Sequence, residues 1–218
     1  MRGAGVECAQ AHGRAPEKKS LHAQERDSDE NRKRREEFLA KVRATPAEHL
    51  IFLDESGVTT SMTRLYARCP DGRRIHEATP GGHWKIMTIL GAMRLSGITA
   101  AMTIEEATDG DIFLAYVKQV LCPTLRAGDV VVMDNLSAHK VSGVERLIHA
   151  CGAEVLYLPP YSPDLNAIEK AWSKIKQFLR SQRPRTTEAL QQNIADAIAL
   201  ITPQDAQAWF RLATAPLQ

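Results

Sequence analysis

Two four-residue apolar runs, Leu50–Leu53 and Val130–Met133, each end in an aspartate, Asp54 and Asp134. Short unbroken apolar runs suit strands buried on both faces, in the interior of a sheet that helices cover on either side. Open α/β sheets of this kind gather their ligands beyond the carboxyl ends of the strands. If the two strands are parallel neighbours, Asp54 and Asp134 stand close together there. Two such carboxylates repel, and a divalent cation removes the penalty. Mg²⁺ is a hard ion that takes one or two carboxylates together with phosphate and water oxygens.

A third acid is set up by "YLPPYSPDLNAIEKAW", which starts at Tyr157. The Pro159-Pro160 stop and the Ser162-Pro163-Asp164 turn end the strand "AEVLYLPP" and restart the chain as a helix expected from Asn166 to Arg180. On it Ile168, Trp172, Ile175 and Leu179 recur at spacings of four, three and four, a stripe that should face the sheet. Glu169 is offset from the stripe by one residue, at the seam between core and solvent, with Ser173, Lys176 and Arg180 on further turns. Three carboxylates can hold two divalent ions about 3.5–4 Å apart, an arrangement suited to phosphoryl transfer. Each acid also has a simpler reading. Aspartate after a strand is ordinary turn chemistry, and Asn166 with Glu169 could form a capping box.

Outside these blocks the chain reads as one mixed α/β domain with an appendage. Met1–Pro46 holds 11 Lys/Arg and 8 Asp/Glu and few branched apolar residues. Residues 1–47 are expected to be a charged arm, without fixed structure over 1–16 and forming one exposed helix from Asp29 to about Arg43, with charges spaced at Glu30, Arg34 and Glu37. Residues 48–218 form the main domain. "RLYARC" reads as a second strand, and His83–Gly97 as a strand running into a hairpin with "ITAAMTI". Asp109 or Asp111 caps a helix to about Leu121, with Ile112, Leu114, Tyr116 and Val117 available to its buried side. Further helices are expected at Val141–Cys151, Thr187–Leu200 and Gln204–Leu212.

The four cysteines, Cys8, Cys69, Cys122 and Cys151, make no CxxC pair and read as free thiols in a reducing compartment. No apolar stretch approaches the length of a membrane span, and no secretory signal is visible. A formal net charge of +2 does not by itself argue for nucleic acid. The stretch from Lys170 to Arg185 is more telling, with Lys170, Lys174, Lys176, Arg180, Arg183 and Arg185 and no acid. It is either a phosphate-binding face or a solvated one. "TPGGHWK" lacks the spacing of a nucleotide loop, and Trp84 and Trp172 read as core residues.

Together "FLDESG", "VVMDNLSAHK" and "LPPYSPDLNAIEKAWSKIKQFLR" resemble the DDE transposases of the IS630 branch of the Tc1/mariner superfamily, over roughly residues 48–200. "KKSLHAQERD" is similar to the stretch that precedes the first aspartate in such proteins. The resemblance implies an RNase H-like fold, a mixed central β-sheet flanked by helices. It places the catalytic and metal-binding acids at Asp54, Asp134 and Glu169, with 34 residues between the last two. It implies Mg²⁺ or Mn²⁺, two ions, as cofactor. Its partners would be double-stranded DNA, both element ends and a TA target, and further copies of the chain in a transposition complex. It also implies a bacterial, cytoplasmic and nucleoid-associated setting. Asn135, His139 and Asn166 are supporting candidates: His139 near the metals or a phosphate, Asn135 orienting Asp134 or a water. The plainer readings are a local hydrogen bond for His139 and a turn for Asn135.

Two departures from the family pattern stand out. Ala167 occupies the position where the family carries a proline. About 47 residues precede the core, where such transposases carry helix-turn-helix domains that read the element ends. The expectation is therefore a catalytic module without end recognition. Its activity would be phosphodiester hydrolysis at an element end, followed by attack of the freed 3′-hydroxyl on target DNA. The rivals are a metal-dependent nuclease of the same fold and a non-catalytic remnant that binds DNA or a partner.

Such a chain should bind DNA weakly and with little sequence preference, because phosphate contacts give affinity without discrimination. With about four to six contacts the log–log salt slope is expected to be roughly −4 to −5. Salt titrations on a terminal-repeat duplex and a scrambled one check this. A preference on the order of 1,000-fold for the repeat would show that the chain reads bases.

Overall fold

The computed structural model describes residues 23–64, 66–69, 73–79, 81–105, 107–136 and 143–215. Five strands, β1 (Leu50–Thr59), β2 (Ile86–Arg94), β3 (Gly97–Ile104), β4 (Val130–Met133) and β5 (Glu154–Tyr157), form one sheet in the order β3-β2-β1-β4-β5. β1, β4 and β5 run parallel, whereas β2 and β3 form an antiparallel hairpin beside β1. The helices are α1 (Asp29–Ala44), α2 (Gly110–Tyr116), α3 (Val144–Ala150), α4 (Ile168–Gln182), α5 (Thr187–Ala199) and α6 (Pro203–Ala213). α2 continues through a π-helical turn, Val117–Leu121.

The apolar runs form the middle of the sheet because they are buried on both faces. Leu50, Phe52 and Val132 pack against α1, α4, α5 and α6, whereas Ile51, Leu53, Val131 and Met133 pack against α2 and α3. The result is a three-layer, helix–sheet–helix arrangement, the mixed sheet flanked by helices expected of an RNase H-like fold. α4 lies across the sheet on its predicted stripe: Ile168, Trp172, Ile175 and Leu179 are all at most 2% exposed. Trp172 reaches the strands themselves. A Cβ built on Gly91, which pairs with Asp54, would lie 2.6 Å from the Trp172 ring. Glycine at 91 is therefore what lets the indole approach β2 this closely.

Several expectations change. "RLYARC" is not a strand: its described residues carry no regular structure, and Tyr66 is 90% exposed. The reason is that β1 continues through Gly57 to Thr59, and β2 takes the place beside it over the whole length Phe52–Thr59. The helix expected at Asp29–Arg43 forms and carries the Glu30–Arg34 ion pair, but it is not an exposed arm. Arg35, Phe38, Leu39 and Val42 are buried against the main core. Trp84 is exposed rather than core. Asn166 is not a helix cap; α4 starts at Ile168, two residues later, with Ala167 at the cap position and no side-chain cap bond. Asp109 does cap α2, and Phe113 is its most buried apolar residue together with Tyr116. Cys69, Cys122 and Cys151 are free thiols. No described helix is long and apolar enough to cross a membrane. Residues 1–16 and His139 lie outside the described residues.

Two substitutions test the seat of α4. Gly91→Ala should cost about 1–3 kcal/mol by overpacking against the indole, and Trp172→Ala about 3–5 kcal/mol by leaving a cavity. Gly57→Ala, with nothing within 4 Å of its added carbon, should stay within about 0.5 kcal/mol of the parent. Urea denaturation of the three proteins measures this. A Gly91→Ala protein as stable as Gly57→Ala would show that the indole is not wedged there.

Candidate active site

The register of β1 and β4 brings two acids to one level. Phe52 pairs with Val132, so Asp54 and Asp134 each lie two residues past that pair. Side chains alternate along a strand. Phe52 and Val132 face α4; by alternation Asp54 does too, and Asp134, one residue past β4, lines a cavity with it. A bond confirms this for Asp54: the Trp172 indole Nε1 donates to its Oδ2 at 3.1 Å. Glu169 stands three residues before Trp172, so one helix both touches the first acid and carries the third. Asp54, Asp134 and Glu169 line a single cavity of about 370 Å³, together with Asn135, Asn166 and the Pro159–Pro163 turn. No lysine or arginine is among its described lining residues.

The electrostatics follow from that lining. Burial, and then the nearby Glu169 and Asp134 carboxylates, push the Asp54 carboxyl up to about 7, against opposing hydrogen bonds from the Glu55 backbone and Trp172. One oxygen of Asp134 accepts the Leu136 N–H at 3.2 Å, a turn bond that fixes the carboxylate just past the strand end. Glu169 and Asn135 are exposed, whereas Asn166 is 4% exposed. The Asn166 Oδ1 is buried without a hydrogen-bond partner, at a cost of about 1–3 kcal/mol for a group of this kind. Among the described residues no group of three His, Cys, Asp or Glu side chains stands close enough to hold a metal ion. The acids thus share a cavity without closing into a ready-made three-ligand cage.

The turn that aims Glu169 is built from restricted residues. Tyr161 has φ 56°, a left-handed conformation that costs a side-chain-bearing residue about 1–2 kcal/mol. A 3₁₀ turn, Pro163–Leu165, follows, and Leu165 and Asn166 are buried beneath it. Arg35 of α1 holds this turn from outside. Its guanidinium donates to Ser162 Oγ at 2.7 Å and to both Asp164 oxygens, at 3.1 and 2.7 Å. Sequence reasoning missed Arg35, although it left a trace. Arg35, Phe38, Leu39 and Val42 share one helix face, and an arginine in an apolar stripe needs an acceptor.

The structure divides the basic stretch. Lys174 bonds Asp205 and the Leu200 carbonyl, Arg183 pairs with Glu77, and Arg185 donates to Thr60, Met62 and Thr63. Among the described residues no ion pair engages Lys170, Lys176 or Arg180. With three cations held inside the chain, the expected salt slope falls to about −3 unless those bonds open.

The family profile described as DDE superfamily endonuclease matches residues 49–191. No curated protein sequence matches the chain. Among solved structures, the Mos1 transposase paired-end complex with left transposon end superposes with a TM-score of 0.72 at 15% identity, over 93% of this chain and 64% of that one. The Mos1 strand transfer complex gives 0.73 at 15% identity, over 94% of this chain and 64% of the other. The Mos1 transposase catalytic domain with Raltegravir and Mg gives 0.62 at 14% identity, over 91% of this chain and 100% of that domain. The chain thus spans 64% of the longer Mos1 chains and shares their catalytic-domain fold.

Asp54 makes a pH test possible. Its folded-state pKa of about 7 lies above the ordinary 3.8. Between those values the folded metal-free protein holds more protons than the unfolded chain, so this group's contribution to stability falls as pH rises. Asp54→Asn, which can still accept from the indole, should remove that fall and stabilise the metal-free protein at pH 8 by roughly 1–3 kcal/mol. Urea curves from pH 4 to 8 read it out; parallel behaviour of the two proteins would show a solvated carboxyl.

Proposed function

Because the chain belongs to the DDE superfamily endonucleases, we propose that it cleaves DNA at the end of an insertion element and joins the freed strand to target DNA. Asp54, Asp134 and Glu169 are the catalytic carboxylates of this reading. The observation that carries it is the cavity in which all three acids meet without a described cation among them. In the first step a water oxygen attacks the scissile phosphorus, and the bond to the 3′-oxygen breaks to leave a 3′-hydroxyl and a 5′-phosphate. In the second step that hydroxyl attacks a target phosphodiester and displaces its 3′-oxygen.

The donor set fits Mg²⁺ or Mn²⁺: three hard carboxylates, one of them made costly to ionise by burial and its neighbours. Asp54, Asp134 and Glu169 would hold two such ions, which when bound supply charge neutralisation at the phosphate and a clamp on the attacking and leaving oxygens. The chain's own residues do the positioning. Trp172 orients Asp54 through its indole N–H. The Leu136 N–H holds one oxygen of Asp134. The unpartnered Asn166 Oδ1 is an acceptor for a water or sugar hydroxyl entering the cavity. Asn135 lines the same cavity beside Asp134, and His139 remains a candidate for a phosphate contact. Lys170, Lys176 and Arg180 offer backbone contacts on the helix that carries Glu169, with Lys174, Arg183 and Arg185 joining if their internal bonds are exchanged for phosphate.

Double-stranded DNA, pairing of two copies on element ends, a TA target and a nucleoid-associated location all follow from this reading. A bacterial source draws no support from the Mos1 likenesses. The main domain of the reading is 48–218, with α1 of the preceding segment packed onto it. A non-catalytic remnant is the second reading, favoured by the lack of a three-ligand group among the described residues.

Nicking of supercoiled plasmid decides between them. Nicking should require Mg²⁺ or Mn²⁺ and fall to background in Asp134→Asn. Joining of a pre-cut element end to plasmid then separates a transposase from a plain nuclease. A wild-type protein that binds DNA but shows no metal-dependent nicking would establish the remnant.

A further inference from the structure

We propose that Arg35 is a positioning residue for the acid cavity, fixing through Ser162 and Asp164 where α4 begins and hence where Glu169 stands against Asp54 and Asp134. The inference rests on the functional reading of that cavity. Arg35 is 2% exposed, although it lies 127 residues from Ser162 in sequence. Its fork grips both Asp164 oxygens and Ser162 Oγ, and Ser162 Oγ in turn donates to the Pro160 carbonyl at 3.0 Å. Arg26 adds a second guanidinium 3.4 Å from Asp164. The network therefore ties both sides of Pro163, inside the segment that links β5 to α4. The Pro160–Pro163 stretch lines the acid cavity directly.

Attachment of α1 alone does not account for this. Phe38, Leu39 and Val42 already bury the helix in the main core, and an apolar side chain at 35 would do the same without desolvating a charge. What a guanidinium adds is direction. A bidentate fork sets both the distance and the plane of its carboxylate, which neither lysine nor an apolar residue can do. Direction matters here because the described acids form no closed three-ligand group. A small change in where α4 starts decides whether Glu169 reaches an ion shared with the two aspartates. Displacements of about 1 Å near the chemistry cost on the order of 100-fold.

The test compares wild type, Arg35→Lys and the apolar replacement Arg35→Met with Asp164→Ala. Three quantities are measured: the urea midpoint, Mn²⁺ affinity by calorimetry, and amide exchange at Asn166 and Glu169. The apolar pair should keep a midpoint near wild type, because it removes a buried guanidinium together with its half-exposed partner and leaves no buried charge unpaired. It should nonetheless bind Mn²⁺ about tenfold more weakly and exchange faster at both amides. Arg35→Lys should lie between, and serves alone if the double variant does not fold. Wild-type Mn²⁺ affinity together with wild-type exchange in a folded variant overturns the proposal. If wild type binds no Mn²⁺, the reading of the cavity fails. The exchange rates then decide the clamp, unchanged rates overturning it and faster ones supporting it.

Discussion

The contact between Trp172 and β1–β2 is the constraint on which the site depends. The indole lies on Gly91, the residue paired with Asp54, and its N–H reaches the Asp54 carboxylate. This side chain sets how closely the helix sits on the sheet and orients the first acid, while the turn before α4 sets where the helix begins. Glu169 comes with the helix, because its position on α4 relative to residue 172 is set by helical geometry. The rest of that face, α5 and α6 with Phe210 set edge-on against Phe52, holds the helix down but does not aim it. Packing and chemistry are thus one problem at this position.

Much of this was legible in the sequence because its signals are periodic or local. The Leu50–Leu53 and Val130–Met133 runs are short and apolar, and the 168-172-175-179 stripe has a helical period, so strands, helix and buried face could be read directly. The long-range consequences could not. That β1 runs on through Gly57 to Thr59 is decided by its pairing with β2, and that pairing leaves "RLYARC" no place in the sheet. The charged segment before residue 47 looked solvated because charge dominates its composition, yet three apolar residues and one arginine share a face. The partner of that arginine lies 129 residues away at Asp164, beyond any local pattern. Asn166 shows the converse: a capping-box spacing was present, and burial took the residue for the cavity wall instead.

The site also has to reconcile opposite charges. On the proposed reading three carboxylates would approach a polyanion, and the described cavity lining offers no cation to offset them. Of the free cations of α4, Lys170 follows Glu169 directly but lines no part of the acid cavity, and Lys176 and Arg180 lie about 10 and 16 Å along the axis from Glu169 at 1.5 Å per residue. Attraction at that distance can hold a DNA strand against the helix, but it cannot neutralise a phosphate over the acids. In the proposed function, binding and chemistry would therefore draw on separate sources of positive charge, the chain for the strand and a hard cation for the scissile group.

The other end of the same sheet shows that the fold can compensate a buried carboxylate when structure alone is at stake. Asp129, fully buried just before β4, meets the Arg94 guanidinium through both oxygens and accepts the Arg126 N–H, with His49 alongside. Burial pushes its carboxyl up, and these partners hold it below the ordinary value all the same. Asp54 stands mid-way along the central strand β1 with an indole, a backbone bond and two further acids, and its carboxyl goes up. The two aspartates belong to adjoining segments of one sheet and differ in whether the chain supplies the countercharge. A structural carboxylate is completed within the fold, whereas on the proposed reading Asp54 would be completed by what enters the cavity, and its stability cost in the empty state would be the thermodynamic counterpart of affinity for a cation.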